Sequence, residues 1–209
     1  MNTGKKTKTL TLLGVLIAIQ VVMTMLNIGL IPLPGIKATA LHIPVIVGAV
    51  LLGRTEGMIL GASMGILSVI TNTVQPSLTS FVFSPFVTIG DQSGNWLSLV
   101  VAIVPRVLIG FTAYCTYKLV SSKDKSKVFA YAASGIVGSL TNTIFVMGGI
   151  YLLFGRQYAV ATNHAFGELM GVIMAVIVTN GIPEAITAAL LVPAVSKPLS
   201  MIFRFNRKA

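Results

Sequence analysis

The stretch VFAYAASGIVGSLTNTIFVMGGIYLLF, residues Val128 to Phe154, carries no charged side chain. It exceeds the ~20 apolar residues that a helix needs to cross a bilayer. A lysine-rich run, KLVSSKDKSK at residues 118–127, leads into it. Its centre is polar nonetheless: Thr141, Asn142 and Thr143 stand together. The same triplet recurs as Thr71-Asn72-Thr73, and a third pair as Thr179-Asn180, each within another apolar run. A charge-free run of this length with an amide at its middle predicts a membrane helix that faces something polar.

The rest of the chain agrees. Of 209 residues, 55% are hydrophobic and 10% charged, and the mean hydropathy is +0.90. Soluble domains carry about 25% charged residues, so a soluble fold is excluded. Inside a bilayer only helices and closed barrels satisfy their own backbone, and the runs are continuous rather than alternating. The expected class is an all-α integral membrane protein. The net charge of +10 raises nucleic acid as a partner, but its placement argues against that. Lys5, Lys6 and Lys8 open the chain; Lys118, Lys123, Lys125 and Lys127 cluster mid-chain; Lys197, Arg204, Arg207 and Lys208 close it. Cations flanking apolar segments follow the positive-inside rule. The lone Cys115 excludes an internal disulfide.

Six segments are expected, at Leu10–Ile31, Ala40–Leu52, Gly57–Thr73, Trp96–Val120, Val128–Phe154 and Gly167–Val195. They form a single membrane domain over residues 1–209. The first run is longer than a signal-peptide core of 7–15 residues, and we read it as a retained helix despite Ala38-Thr39-Ala40 beyond it. The basic termini, Arg54 and the KLVSSKDKSK loop all belong on the cytoplasmic side. The outer loops are then PLPGIKAT, VQPSLTSFVFSPFVTIGDQSGN and GRQYAVATNHAF. The second, with Phe81, Phe83 and Phe86, is expected to fold back over the bundle. Small residues at four-residue spacing (Gly57, Gly61 and Gly65; Gly14 and Ala18; Ser134 and Gly138) predict close helix packing.

Catalytic motifs do not hold up. Gly61-Ala62-Ser63-Met64-Gly65 matches GxSxG, which has meaning only on a strand-to-helix turn, whereas here it lies inside a helix. Two histidines and five acids form no metal-ligand cluster, and no P-loop occurs. We expect no enzyme activity, no metal and no cofactor. The polar residues do converge in depth. Arg106 lies roughly 15 Å into its helix at 1.5 Å per residue, and a mid-bilayer cation must face the interior. Asn142 and Asn180 map to mid-depth, and Asn72 with Thr73 to the outer end of the third segment. Two readings compete. The amides could be interhelical glue, with Arg106 bridged to Glu168 or Asp91. Alternatively they line an outward-facing cavity for a small anion, where an arginine fork takes a carboxylate and Asn supplies donor and acceptor.

The ordered series HIPVIVGAVLLG, GASMGILSVITNT, SLTSFVFSP, VPRVLIGFTAY and GSLTNTIFVMGGIYLLFG resembles the substrate-binding S components of energy-coupling factor (ECF) vitamin transporters. The resemblance covers nearly the whole chain. It implies six helices, cytoplasmic termini, a prokaryotic cell membrane and capture of a vitamin from outside. It also implies partners: a membrane T component and two cytoplasmic ATPases, which supply the ATP site this chain lacks. Members of the family dock through small residues on the first helix, and the matching stretch here is Gly14 to Ala18. ITNT, SLTSFVFSPF, VPRVLIG and GSLTNT are most similar to the pantothenate-specific members.

That resemblance implies Arg106 for the vitamin's carboxylate and Asn72, Asn142 and Asn180, with Thr73 and Thr143, for its polar groups. Tyr151 joins at the outer edge with Trp96 and Tyr158. Lys37 is either a second cation for the carboxylate or a solvated loop lysine. The scaffold is shared with riboflavin, pyridoxine, hydroxymethylpyrimidine and folate proteins, although the few pocket aromatics argue against a large flat ring. Rival readings are a self-sufficient carrier, with Glu184 as its coupling acid, and a scaffold that binds no ligand.

Overall fold

The computed structural model describes the backbone of residues 3–26, 30–33 and 36–203, and the side chains of residues 6–26 and 40–202. Along them run α1 (Thr3–Met25), a hairpin of β1 (Leu30–Leu33) and β2 (Ile36–Thr39), α2 (Ile43–Leu51) and α3 (Arg54–Val74). A second hairpin follows, β3 (Thr88–Ile89) with β4 (Gln92–Ser93), then α4 (Trp96–Ser121) and α5 (Val128–Ala161). The chain closes with α6 (Leu169–Val176), a π-turn at Ile177–Gly181, and α7 (Ile182–Phe203). Five rods among the described residues are long and apolar enough to cross a membrane: Lys6–Met25, Arg54–Val74, Trp96–Ser121, Val128–Ala161 and Phe166–Ile202.

The second apolar segment is different in kind. Expected as a membrane helix over Ala40–Leu52, it is a nine-residue helix, about 13 Å long at 1.5 Å per residue. That is under half of the ~30 Å hydrocarbon core. Ile43 through Val50 are all buried, as a helix apolar on every side must be, and α2 is ringed by α1, α3, α4, α5 and α7. Protein rather than lipid surrounds it. His42 is fully buried at its start. Helix α1 ends at Met25, short of the expected Ile31. Residues Leu30–Leu33 instead pair antiparallel with Ile36–Thr39, with Leu30 opposite Thr39 and Pro32 opposite Lys37. Strand β2 packs against the π-turn and α7.

The glycine ladder of α3 sets the distance to α4. A Cβ on Gly65 would lie 2.9 Å from the Ala102 carbonyl oxygen, and one on Gly61 would overlap the Arg106 carbonyl. One on Gly57 would sit 3.3 Å from the Gly110 Cα. Ala102, Arg106 and Gly110 recur every four residues, so one backbone ridge of α4 lies in the groove the glycines leave. On α5, a Cβ on Gly135 would meet the Ala188 carbonyl of α7 at 2.6 Å, and one on Gly138 would meet Ile46 of α2 at 2.8 Å. These contacts hold α4, α5 and α7 around α2 and bring their polar residues to one place.

Candidate functional site

The site begins with a proline. Pro105 lies inside α4 and has no N–H, so the carbonyl four residues earlier, on Val101, loses its helical partner. The Arg106 side chain takes that role: Nη1 donates to the Val101 oxygen at 2.8 Å. A freed backbone acceptor thus draws the guanidinium back along its own helix, toward the end that carries Trp96. Arg106 is 8% exposed. Its guanidinium carbon stands 5.3 Å from the Phe83 ring centroid, a cation–π distance, and Glu184 attracts it electrostatically. Its Nε is buried with no hydrogen-bond partner.

Phe83 is held there by the loop after α3, which folds into the bundle and leaves Phe81 and Val82 fully buried. The Ser80 hydroxyl donates to Asn72 Oδ1 at 2.7 Å, and Asn72 Nδ2 donates to the Ser68 carbonyl at 2.8 Å. Thr73 and Ser84 pair through their hydroxyls at 2.7 Å, and the Ser98 hydroxyl donates to the Phe81 carbonyl at 2.7 Å. Both ends of the Asn72 amide are therefore engaged, the oxygen by the loop and the nitrogen by its own helix. The loop after α3 folds back on the bundle as expected, but Phe86 is 73% exposed and is not part of that cover.

The triplet on α5 divides its work. Thr141 pairs with Thr112 of α4, hydroxyl to hydroxyl at 3.0 Å. Thr143 donates to Glu184 Oε2 at 3.2 Å, with the Ser139 carbonyl at 3.4 Å as a competing acceptor. Between them Asn142 is 8% exposed, and its Oδ1 is buried without a partner. A buried polar atom left unsatisfied costs roughly 1–3 kcal/mol, and Arg106 Nε and Asn142 Oδ1 are two such atoms.

Opposite stands the π-turn. Pro183 cannot donate to the Thr179 carbonyl, and π-turns concentrate at functional sites. Gly181 lets α7 approach α5: a Cβ there would be 3.3 Å from the Thr143 methyl. Asn180 is half-buried one turn before Glu184. Glu184 itself is 6% exposed. The sequence points to it as a coupling acid, yet it is the acid whose charge attracts Arg106, while Glu168 and Asp91 are exposed. Four residues from Asn180 and directly after a proline, it shares a helical face with that amide, and this spacing was its sequence signal. Tyr151 stacks on Phe166 with centroids 6.2 Å apart and planes at 12°. The side chain of Lys37 lies outside the described residues. Ser63 belongs to helix packing: it donates to Gln20 Oε1 of α1 at 2.5 Å and to the Leu60 carbonyl at 2.8 Å.

The helical bundle thus holds a buried arginine, a buried glutamate whose charge attracts it and a buried amide oxygen without a partner, donors and acceptors of the kind a small polar anion needs. The model of the family described as "ECF transporter, substrate-specific component" matches residues 8–196, and the chain belongs to that family. It is a component of a membrane transporter and not an enzyme. The chain is also 34% identical over 199 residues to the "Pantothenic acid transporter PanT" of Lactococcus lactis subsp. cremoris (strain MG1363), across 93% of this chain and 95% of that protein.

Proposed function

We propose that this chain is the vitamin-capturing subunit of an ECF importer and that its vitamin is pantothenate. The observation that carries the reading is the buried guanidinium of Arg106 with its Nε unpartnered, fixed on a scaffold whose relative is named for pantothenic acid transport. Pantothenate has one carboxylate, an amide and two hydroxyls. Arg106 takes the carboxylate through charge-assisted hydrogen bonds. Asn142, Asn180 and Thr143 meet the amide and hydroxyls, Tyr151 lines the outer edge, and Lys37 of the first hairpin supplies a second cation. Asn72 and Thr73 serve the site by holding the loop that sets Phe83 over Arg106.

In the same reading residues 1–209 form one membrane domain of six segments in the cell membrane, with both termini cytoplasmic. Helix α2 completes its crossing together with the first hairpin, which is in keeping with β2 packing on the π-turn. The T component docks on α1, where Gly14 and Ala18 are exposed and a Cβ on Gly14 would meet nothing within 4 Å. Two cytoplasmic ATPases complete the importer. Calorimetric titration of the detergent-purified chain against pantothenate, riboflavin, pyridoxine, hydroxymethylpyrimidine and folate tests the assignment. Tight binding of pantothenate alone is expected; tight binding of another vitamin with none of pantothenate overturns it.

A further inference from the structure

Two aromatic side chains stand outside both the core and the site. Trp96, expected at the edge of the site, is 75% exposed, and Phe86 is 73% exposed. Both belong to the end of the bundle where the loop after α3 leads into α4. The start of α4 is fixed by a capping box. The Asn95 side chain accepts the Leu97 N–H at 2.8 Å, and the Asn95 N–H donates to Ser98 Oγ at 3.1 Å. Trp96 is therefore the first helical residue. From there an exposed stripe continues through Leu97, Val100 and Val104, at the three- and four-residue spacing of one helical face. Ser98, Val101 and Ala102 behind it are buried. The helix is long and apolar enough to cross a membrane, so lipid is the medium of that stripe, and Trp96 stands at its end.

Helix length sets the depth. The 26 residues of α4 at 1.5 Å each span ~39 Å, and still ~37 Å along the membrane normal at a common tilt of ~20°. The hydrocarbon core takes ~30 Å of this. Both ends of α4 therefore lie a few ångströms outside the hydrocarbon, and Trp96 lies among headgroups. Tryptophan suits that layer, since its ring is apolar and its N–H donates. Phe86 comes to the same level across a tight joint. The Gly94 N–H donates to the Val87 carbonyl at 2.9 Å, and the Phe86 N–H donates to Ser84 Oγ at 3.2 Å. A Cβ on Gly94 would lie 2.9 Å from the Phe81 carbonyl oxygen, so the loop is packed directly on the lead into α4. Phe86 adjoins one member of the Val87 and Gly94 pair, and Trp96 is two residues from the other. The hairpin between them carries Thr88, Asp91, Gln92 and Ser93. Irregular backbone does not face hydrocarbon, so this hairpin belongs at or above the headgroups, and Phe86 with it.

We propose that Phe86 and Trp96 form an aromatic anchor that binds the lipid headgroup layer at this end of the bundle and seats the loop after α3 there. Phe83 lies three residues before Phe86 on that loop and stands over Arg106. The bilayer surface thereby becomes part of what positions the site.

Trp96 is the only tryptophan of the chain, so its emission reports the anchor without any substitution. The full chain is reconstituted in phosphatidylcholine vesicles brominated either next to the headgroup or near the ends of the acyl chains, and the loss of emission is compared. A second protein, Trp96→Phe with Phe86→Trp, moves the reporter onto the loop; both positions are exposed, so the exchange disturbs no core. At each position the shallow bromines are expected to cause the larger loss. A larger loss of Trp96 emission with the deep bromines overturns the proposal, because the residue then faces hydrocarbon. So does quenching by aqueous iodide with none by either brominated lipid, which leaves these aromatics in water or for a protein partner. A shallow profile at position 96 with no lipid quenching at position 86 overturns the seating of the loop. The Trp96 measurement stands by itself if the exchanged chain does not fold.

Discussion

Replacing Pro105 by alanine should move stability and affinity in opposite directions. Proline inside a helix costs about 3 kcal/mol relative to alanine. Pro105 is buried, and losing two ring methylenes from a packed site costs roughly 0.8 kcal/mol each. The difference leaves Pro105→Ala more stable by about 1.4 kcal/mol. The new N–H, however, points at the Val101 carbonyl, which Arg106 Nη1 now holds at 2.8 Å. The carbonyl keeps a second lone pair, so the arginine is loosened rather than expelled. A loss of about half of a charged hydrogen bond worth ~1.5–3 kcal/mol corresponds to a three- to tenfold weaker Kd for pantothenate. Thermal unfolding in detergent measures the first effect and calorimetric titration the second. If Pro105→Ala is more stable and binds as tightly as before, the proline does not aim the arginine. If it loses stability, Pro105 is there for packing.

Gly61→Ala places a methyl on the Arg106 backbone carbonyl and 2.9 Å from the Val107 Cα; backbone cannot swing aside, so thermal scans and titration should show a loss of about 1–3 kcal/mol from overpacking and weaker binding together. Gly149→Ala meets only a Val101 methyl at 3.4 Å, so the same two assays should register little change. Ser80→Ala removes the hydroxyl that bonds Asn72 Oδ1; faster proteolysis of the loop after α3, with modestly weaker binding, is the expected result. Asp124 accepts the Ala130 and Ser126 backbone N–H groups at 3.0 Å, and these bonds, that to Ala130 foremost, hold its carboxyl below the ordinary value. Its contribution to stability is therefore present above the unfolded value near 3.9 and fades as pH falls through the depressed one. Midpoints measured from pH 7 to pH 3 should fall less steeply in Asp124→Asn than in the unsubstituted chain.

Much of this architecture is legible in the residues because bilayer physics leaves so few options. The run from Val128 is a helix of at least the expected length, extending to Ala161, and α4 matches its expected bounds almost residue for residue. The second segment was harder. HIPVIVGAVLLG reads as membrane-spanning by hydropathy, but apolarity does not distinguish lipid from protein as the surrounding medium, and only its short length hinted at burial. The polar residues divide for a similar reason. Thr141, Asn142 and Thr143 are consecutive on a helix, so they point about 100° apart, and only the packing of α4 and α7 decides which of them finds a partner. Asn72 and Asn142 share a triplet, yet Asn72 meets a folded loop and Asn142 does not. No local pattern carries that difference.

Order of synthesis adds a requirement that the finished bundle conceals. Arg106 leaves the ribosome 78 residues ahead of Glu184, roughly 4–16 seconds at 5–20 residues per second. During that interval α4 must enter the membrane with its cation lacking the acid. The two groups that can shield it by then have already been made: the Val101 carbonyl on the same helix and Phe83 in the loop just before. Pro105, by leaving an acceptor within reach, lets the arginine be solvated by its own backbone while the remaining helices are still being translated.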